Sequence, residues 1–234
     1  MHIVRHSSFV AVPWRNGGGI THEAMRVPPG GDSFQWRVSV AQIDASGPFS
    51  DFAAYRRFMV LLKGAGVLLT FSSGPGTVGP SGREAKACEL RTVGDMAEFD
   101  GGVAAHCDLV DGPCVDLNLM VSKALPDVRA RVEELREPRS PGLGSGESML
   151  VFPIDAALEL TSGASMYALE PWDLALLSER EDRAVSISGR GGGEKTGTVK
   201  VFLATLPSDL SARGLNTSTS WSPVHGMRAG IADP

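Results

Sequence analysis

The stretch FQWRVSVAQI, residues 34–43, alternates apolar and polar side chains over most of its length. Trp36 and Val38 fall on one face of the extended chain. Arg37 and Ser39 fall on the other, which is the period of two that is typical of a β-strand. Short β-rich runs separated by glycine recur along the chain, whereas helical periodicity is scarce. The sequence therefore predicts an all-β protein with little helix.

Composition places the 234-residue chain among soluble proteins with an ordinary core, at 42% hydrophobic and 21% charged residues. A net charge of -5 argues against binding to nucleic acid or anionic membranes, because no basic excess exists to release counterions. No apolar run approaches the roughly 20 residues that span a bilayer, and the first residues do not resemble a signal peptide. Three cysteines without a CxxC motif favour a reducing compartment, so we expect a cytoplasmic protein.

Further strand pairs follow from the apolar runs. Residues 57–71, RFMVLLKGAGVLLTF, contain two runs around a Gly-Ala-Gly turn and predict a β-hairpin. Residues 103–121 again give two runs, around an Asp-Gly-Pro turn. Residues 126–136 fit a helix or an alternating strand, and we favour the strand.

A weak internal repeat suggests two barrels. Residues 93–99, VGDMAEF, resemble residues 171–177, PWDLALL, and each segment precedes another strand pair with a glycine-rich turn. Such duplication predicts two small β-barrels or jelly rolls in one chain. We expect a first barrel over residues 1–136, a linker over 137–148, a second, smaller barrel over 149–206 and a flexible tail over 207–234.

The segment PWRNGGGIT, residues 13–21, carries three consecutive glycines. It lacks the Lys and Ser/Thr of a P-loop and the spacing of a dinucleotide-binding fingerprint. One interpretation is a turn that needs positive φ or a close backbone approach. The other is a binding loop, because Trp14, Thr21 and Glu23 would place a stacking surface and polar groups beside backbone N–H groups that can hold a carboxylate.

Arg37 also has two interpretations. If its face of the strand points into a barrel, the buried guanidinium needs a carboxylate partner from the protein or from a ligand. If the Trp36 face forms the core, Arg37 is solvated, and the residues alone favour this second arrangement.

Metal and nucleophile motifs are absent from the sequence. The five histidines form no HxH or HExxH pattern, and the pair His106 and Asp108 is too small a set for a metal site. No GxSxG elbow occurs, and Glu23 beside His22 is the one candidate general base. We expect no tightly bound metal and no cofactor.

Six blocks, in this order and spacing, carry a family resemblance: PWRNGGGIT (13–21), FQWRVSVAQI (34–43), GPFSDF (47–52), LLKGAGVLLTF (61–71), FDG (99–101) and DGPCVDLNLM (111–120). Through them the chain resembles the HutD/Ves family of bacterial proteins. The second half resembles the family more loosely. The resemblance implies a bicupin, two cupin-like barrels of the RmlC-like jelly-roll type, without the usual cupin metal ligands.

The resemblance also implies a function linked to bacterial histidine utilisation. Proteins of the family are thought to bind a small acidic intermediate and to modulate the pathway, and no enzymatic activity is firmly attached to them. The resemblance further implies that the Arg37 face points into the barrel, towards a carboxylate, and that the NGGG loop lies over the barrel mouth. The family's recurring polar positions fall on Trp14, Asn16, Gly17, Gly18, Gly19, Thr21, Glu23, Trp36, Arg37, Ser39 and Asn118.

The chain departs from the family pattern at His22, where an Arg-like residue is usual, and at Gly102, where an acid is usual. The ligand therefore stays open between urocanate-like and glutamate-like acids. We expect a protein that binds a small carboxylate of histidine or glutamate catabolism and modulates that pathway.

Two alternatives to this function stay open. One is a metal-free cupin isomerase or hydrolase that acts on a small polar acid, with Glu23 or His22 as acid/base. The other is a regulator whose edge strands bind a protein partner or form a homodimer.

Overall fold

The computed structural model describes residues 1–14, 17–30, 33–72, 86–125, 127–182, 184–190 and 198–207. Within these ranges the chain forms eighteen β-strands, one 3-10 helix, His6–Ser8, and one short α-helix, α1, Glu179–Asp182. The strands are β1 His2–Val4, β2 Val10–Pro13, β3 Gly19–Val27, β4 Trp36–Ile43, β5 Gly47–Pro48, β6 Tyr55–Lys63, β7 Val67–Phe71, β8 Ala87–Leu90, β9 Met96–Asp100, β10 Ala105–Leu109, β11 Cys114–Ser122, β12 Arg129–Leu135, β13 Glu147–Pro153, β14 Leu158–Ser162, β15 Ser165–Leu169, β16 Leu174–Ser178, β17 Ser186–Gly189 and β18 Val199–Pro207.

These strands form four antiparallel sheets that pair into two barrels. The first barrel combines a six-stranded sheet, in the order β2-β3-β4-β11-β6-β9, with a four-stranded sheet, β5-β10-β7-β8. The second combines a five-stranded sheet, β1-β16-β13-β18-β12, with a three-stranded sheet, β15-β14-β17. The predicted all-β class with little helix is confirmed, and the two barrels agree with the expected bicupin. No helix in the described part of the chain is long and apolar enough to span a bilayer.

Three apolar clusters hold the barrels together. One lies between the six-stranded and five-stranded sheets and contains Trp36, Phe58 and Phe152. The other two fill the interiors of the first and second barrels, around Leu61 and Leu158 respectively. The two large sheets are therefore buried on both faces, which explains the nearly continuous apolar character of their central strands.

The prediction of a β-hairpin over residues 57–71 is wrong. Strand β6 belongs to the six-stranded sheet and β7 to the four-stranded sheet, so the turn carries the chain from one sheet of the barrel to the other. Gly64 and Gly66 have φ of 104° and 112°, a region that side chains disfavour. A Cβ on Gly66 would lie 2.1 Å from the carbonyl oxygen of Leu90, so the corner also needs glycine for space.

The sheets do not divide at residue 136. Strands β1 and β12 pair with β16 and β18, and they complete the five-stranded sheet of the second barrel. The segment 126–136 contains the favoured strand rather than a helix. Within the predicted linker, Arg139 forms a two-way backbone bridge with Ile187. The predicted tail after Pro207 lies outside the described residues.

Candidate functional site

A narrow cavity opens inside the first barrel, between the six-stranded sheet and the segment that follows β5. The free volume among its side chains is about 30 Å³. Its lining consists of Trp14, Thr21, Arg37, Ser39, Ala41, Ile43, Pro48, Phe49, Ser50, Phe52, Arg57, Asp116 and Asn118.

Strand register explains why these polar side chains meet. Arg37 on β4 and Arg57 on β6 are both paired with Met120, so the two arginines flank β11 on the same face. Two residues along β11, Asn118 is paired with Ser39. Because side chains alternate along each strand, these positions all point into the barrel.

Both guanidinium groups are buried against aromatic rings. The Arg37 and Arg57 residues are only 8% and 6% exposed. The Arg37 guanidinium lies 5.4 Å from the ring centroid of Phe34 and 5.7 Å from that of Phe52. The Arg57 guanidinium lies 5.0 Å from Phe49 and 5.7 Å from Phe52. At these distances the ring faces attract the cations and hold them in place.

The acceptor groups of the cavity come from β11. Asp116 and Asn118 are 1% and 7% exposed. Within the described residues, Asp116 Oδ2 and Asn118 Oδ1 accept no hydrogen bond. Burial raises the pKa of Asp116 to about 7, against the opposing effects of the Arg57 guanidinium and the Asn118 side chain. The cavity thus contains two guanidinium groups and one carboxyl group that is partly protonated near neutral pH.

The three consecutive glycines, residues 17–19, allow the backbone to pack closely. A Cβ on Gly19 would lie 2.3 Å from the carbonyl oxygen of Gln42 and 3.1 Å from the Trp14 ring. The Gly18 carbonyl accepts a hydrogen bond from the Asp44 N–H at 2.8 Å. The Gly17 φ of 71° marks a turn. These glycines therefore let the β2–β3 connection lie against β4, and they do not line the cavity.

Trp14 reaches the cavity from this connection. Its indole Nε1–H donates a hydrogen bond to Thr21 Oγ1 at 2.8 Å, and both residues line the cavity. The predicted site residue Asn16 lies outside the described residues.

Besides the three glycines, two more of the predicted site residues lie away from the cavity. Trp36 is 1% exposed and points from the opposite face of β4 into the core between the barrels. Glu23 forms an ion pair with Arg26 at 2.7 Å and does not line the cavity. His22, named with Glu23 as a candidate base, pairs with Val40 and shares the face of the sheet that points away from the cavity.

Sequence reasoning missed Arg57, Asp116 and the Phe49–Phe52 wall. A signal was present in CVDLNLM, residues 114–120, where Asp116 and Asn118 alternate with leucines just as Arg37 and Ser39 alternate with valines. Two neighbouring strands with the same pattern indicate one shared polar face.

Metal ligation finds no support in the described part of the chain, which contains no group of three or more His, Cys, Asp or Glu side chains suited to an ion. The pair His106 and Asp108, 3.3 Å apart, is half-exposed on β10.

The sequence model of the HutD family matches residues 6–194. This chain belongs to the HutD family. A Pseudomonas putida protein, described as an uncharacterised 21.2 kDa protein in the hutC 3' region, is 30% identical over 193 residues, which are 81% of this chain and 94% of that protein.

Solved structures agree with this membership. HutD from Pseudomonas fluorescens SBW25, in a formate condition, is 25% identical with a TM-score of 0.66, over 88% of this chain and 98% of that one. A conserved protein of unknown function from Pseudomonas aeruginosa PAO1 has a TM-score of 0.69 at 24% identity, with the same coverage of both chains. Tomato vicilin, at 9% identity and a TM-score of 0.59 over 88% of this chain and 85% of that one, shares the fold alone.

Proposed function

We propose that the first barrel binds a small carboxylate of histidine or glutamate catabolism and that this binding modulates the pathway. The observation that carries the proposal is the pair of buried guanidinium groups, Arg37 and Arg57, lining one cavity with a single carboxyl group. The ligand carboxylate lies in the space between them.

Charge balance supports an anionic ligand. The charged residues in the lining are two arginines and Asp116, so the cavity is positive whichever protonation state Asp116 adopts. A net positive charge inside a low-dielectric cavity attracts an anion. The planar donors of a guanidinium match the two oxygens of a carboxylate.

The shape of the cavity supports a small ligand group. Phe49, Phe52 and Trp14 form apolar walls, and the amide of Asn118 adds hydrogen-bonding capacity. With so little free volume, the cavity suits a carboxylate group, and the remainder of a larger acid would extend towards Trp14.

The pathway assignment rests on family membership. The Pseudomonas putida relative is described by its place beside hutC, and HutD proteins resemble this chain over the segment that builds the cavity. Candidate ligands are urocanate, formiminoglutamate, formylglutamate and glutamate. Formate is the minimal probe, because it is a carboxylate with no other group.

The test is a thermal-shift titration of each acid against wild type and Arg37→Met. A ligand at 100 times its Kd stabilises the folded state by about 2.7 kcal/mol, which raises the Tm by roughly 5–10 °C in a chain of this size. We expect one acid to give such a shift, insensitive to chelator, in wild type and not in Arg37→Met.

Arg56→Met is the matched control. Arg56 lies next to Arg57 on β6 but on the other face, where it is ion-paired with Glu98 at 3.3 Å. This variant should keep the ligand-induced shift. No shift in folded wild type with any of the acids would refute the proposal.

Asp116 gives the enzyme alternative a specific basis. It is a titratable group in the same cavity as the two arginines, with a pKa near neutrality. An isomerase or hydrolase would use it in place of Glu23 or His22. Incubating each acid that binds with wild type and Asp116→Asn, followed by chromatography of the acid, distinguishes turnover from binding alone.

A further inference from the structure

Asp116 is a buried residue of the cavity whose neighbours leave part of its hydrogen-bonding capacity unused. It is 1% exposed and lines the cavity, and its Oδ2 accepts no hydrogen bond within the described residues. Its strand partners are Ala41 on β4 and Leu61 on β6, neither of which has a polar side chain. A buried acceptor left in this state has room for one more partner, a ligand or a proton.

The titratable groups around Asp116 are few. The cations of the cavity are the guanidinium groups of Arg57 on β6 and Arg37 on β4. Burial raises the pKa of the thiols of Cys107 on β10 and Cys114 on β11, that of Cys114 to about 12, and the negative charge of Asp116 raises both pKa values further. Both thiols therefore stay neutral, and Asp116 is the group of this cluster that can change charge near neutral pH.

We propose that Asp116 takes up a proton when the cavity binds a carboxylate, so that ligand binding and protonation of the barrel interior are coupled. The inference rests on the proposed function. A bound carboxylate in so narrow a cavity lies close to Asp116, and two neighbouring carboxylates repel each other. Once protonated, the Asp116 hydroxyl donates a hydrogen bond that the ligand oxygen can accept.

The sign of the pH dependence follows from this coupling. In the free protein Asp116 titrates at about 7, and the bound anion raises its pKa further. Below that pH the proton is already present and affinity is greatest. Above it, binding must recruit the proton, so Kd for a carboxylate rises by up to about tenfold per pH unit.

The experiment is a calorimetric titration of the full chain with formate, which stays ionised between about pH 5.5 and 8.5. Repeating it in buffers of different ionisation enthalpy measures proton uptake directly. We expect close to one proton per formate at about pH 8 and close to none at about pH 6. This count needs only wild type, so it does not depend on whether a variant folds.

Asp116→Asn should bind formate with an affinity that does not change over the same pH range. Asp108→Asn, a half-exposed aspartate on β10, should keep the wild-type pH dependence. Binding without proton uptake at about pH 8, or an Asp116→Asn variant that retains the pH dependence, would overturn the coupling while the proposed function stands. Absence of formate binding at every pH, with the larger acids inactive as well, would overturn both.

Discussion

The two barrels bury aspartates in different ways. In the second barrel, Asp173 accepts hydrogen bonds from the Arg5 guanidinium at 2.6 Å and from the backbone N–H groups of His6 at 2.9 Å and Glu170 at 3.0 Å. In the first barrel, Asp116 is just as buried, yet one of its oxygens accepts no hydrogen bond in the described residues.

The difference distinguishes Asp173, a structural carboxylate, from Asp116, which has an acceptor oxygen left for a ligand. The Asp173 carboxylate ties the segment that follows β1 to the segment before β16, and its hydrogen-bond donors are Arg5, His6 and Glu170 of the protein itself. Asp116 instead faces a cavity that also contains Arg37 and Arg57. A buried carboxylate whose hydrogen bonds all come from the fold has a stabilising role. A buried carboxyl group with an unused acceptor beside a cavity indicates a binding site.

The largest expected effect concerns the stability of Asp116→Asn as a function of pH. Folding raises the pKa of Asp116 from 3.8 to about 7. Wild type therefore loses stability relative to the variant as the pH rises towards 7, by about 3 kcal/mol between about pH 5 and 8. Urea unfolding at each pH measures this difference, and a constant difference across the range would contradict the raised pKa.

Asp173→Asn is the structural counterpart of that substitution. We expect a loss of about 2 to 3 kcal/mol at neutral pH, because a charged acceptor of three hydrogen bonds is removed. Chemical denaturation gives the value. The same substitution at the half-exposed Asp108 should change stability by less than about 0.5 kcal/mol. Equal losses of stability in Asp173→Asn and Asp108→Asn would contradict the structural role of the buried Asp173 carboxylate.

Gly19→Ala tests whether the glycine run serves packing in the first barrel. A Cβ there would lie 2.3 Å from the Gln42 carbonyl oxygen, so β3 must shift away from β4, at a cost of about 2 kcal/mol. Gly47 has nothing within 4 Å of its Cβ position and an ordinary φ, so Gly47→Ala should be nearly neutral. Thermal unfolding measures the stability of both variants. A Gly19→Ala variant with wild-type stability would contradict the packing role.

Trp14→Phe should have the smallest effect. The substitution keeps an aromatic wall but removes the Nε1–H donor to Thr21 Oγ1, which costs about 1 kcal/mol. We expect a Tm lower by a few degrees and retained carboxylate binding. Loss of binding with an unchanged Tm would show instead that the indole contacts the ligand directly.

Local periodicity was enough to predict the all-β class and several of its strands, such as β4 and β12. It could not tell which face of β4 is the barrel interior, since Trp36 and Arg37 are both buried. The Trp36 face was taken for the core because an apolar pattern indicates burial. The pattern does not tell whether a face packs in the core between the barrels or inside the first barrel. The resemblance to HutD supplied the inward direction of Arg37.

Long-range pairing accounts for most of what the sequence did not reveal. Arg57 lies twenty positions from Arg37, and only their shared partner Met120 on β11 brings them together. Likewise, β1 and β12 join the second barrel by pairing with strands far along the chain. Such register depends on tertiary contacts that no local pattern encodes.

Carboxylate binding in the first barrel can be seen directly in a crystal structure of this protein grown with the acid that gives the largest thermal shift. We expect the ligand carboxylate between the guanidinium groups of Arg37 and Arg57, within hydrogen-bonding distance of Asn118. A fully occupied ligand bound elsewhere, with only water between the two arginines, would contradict it.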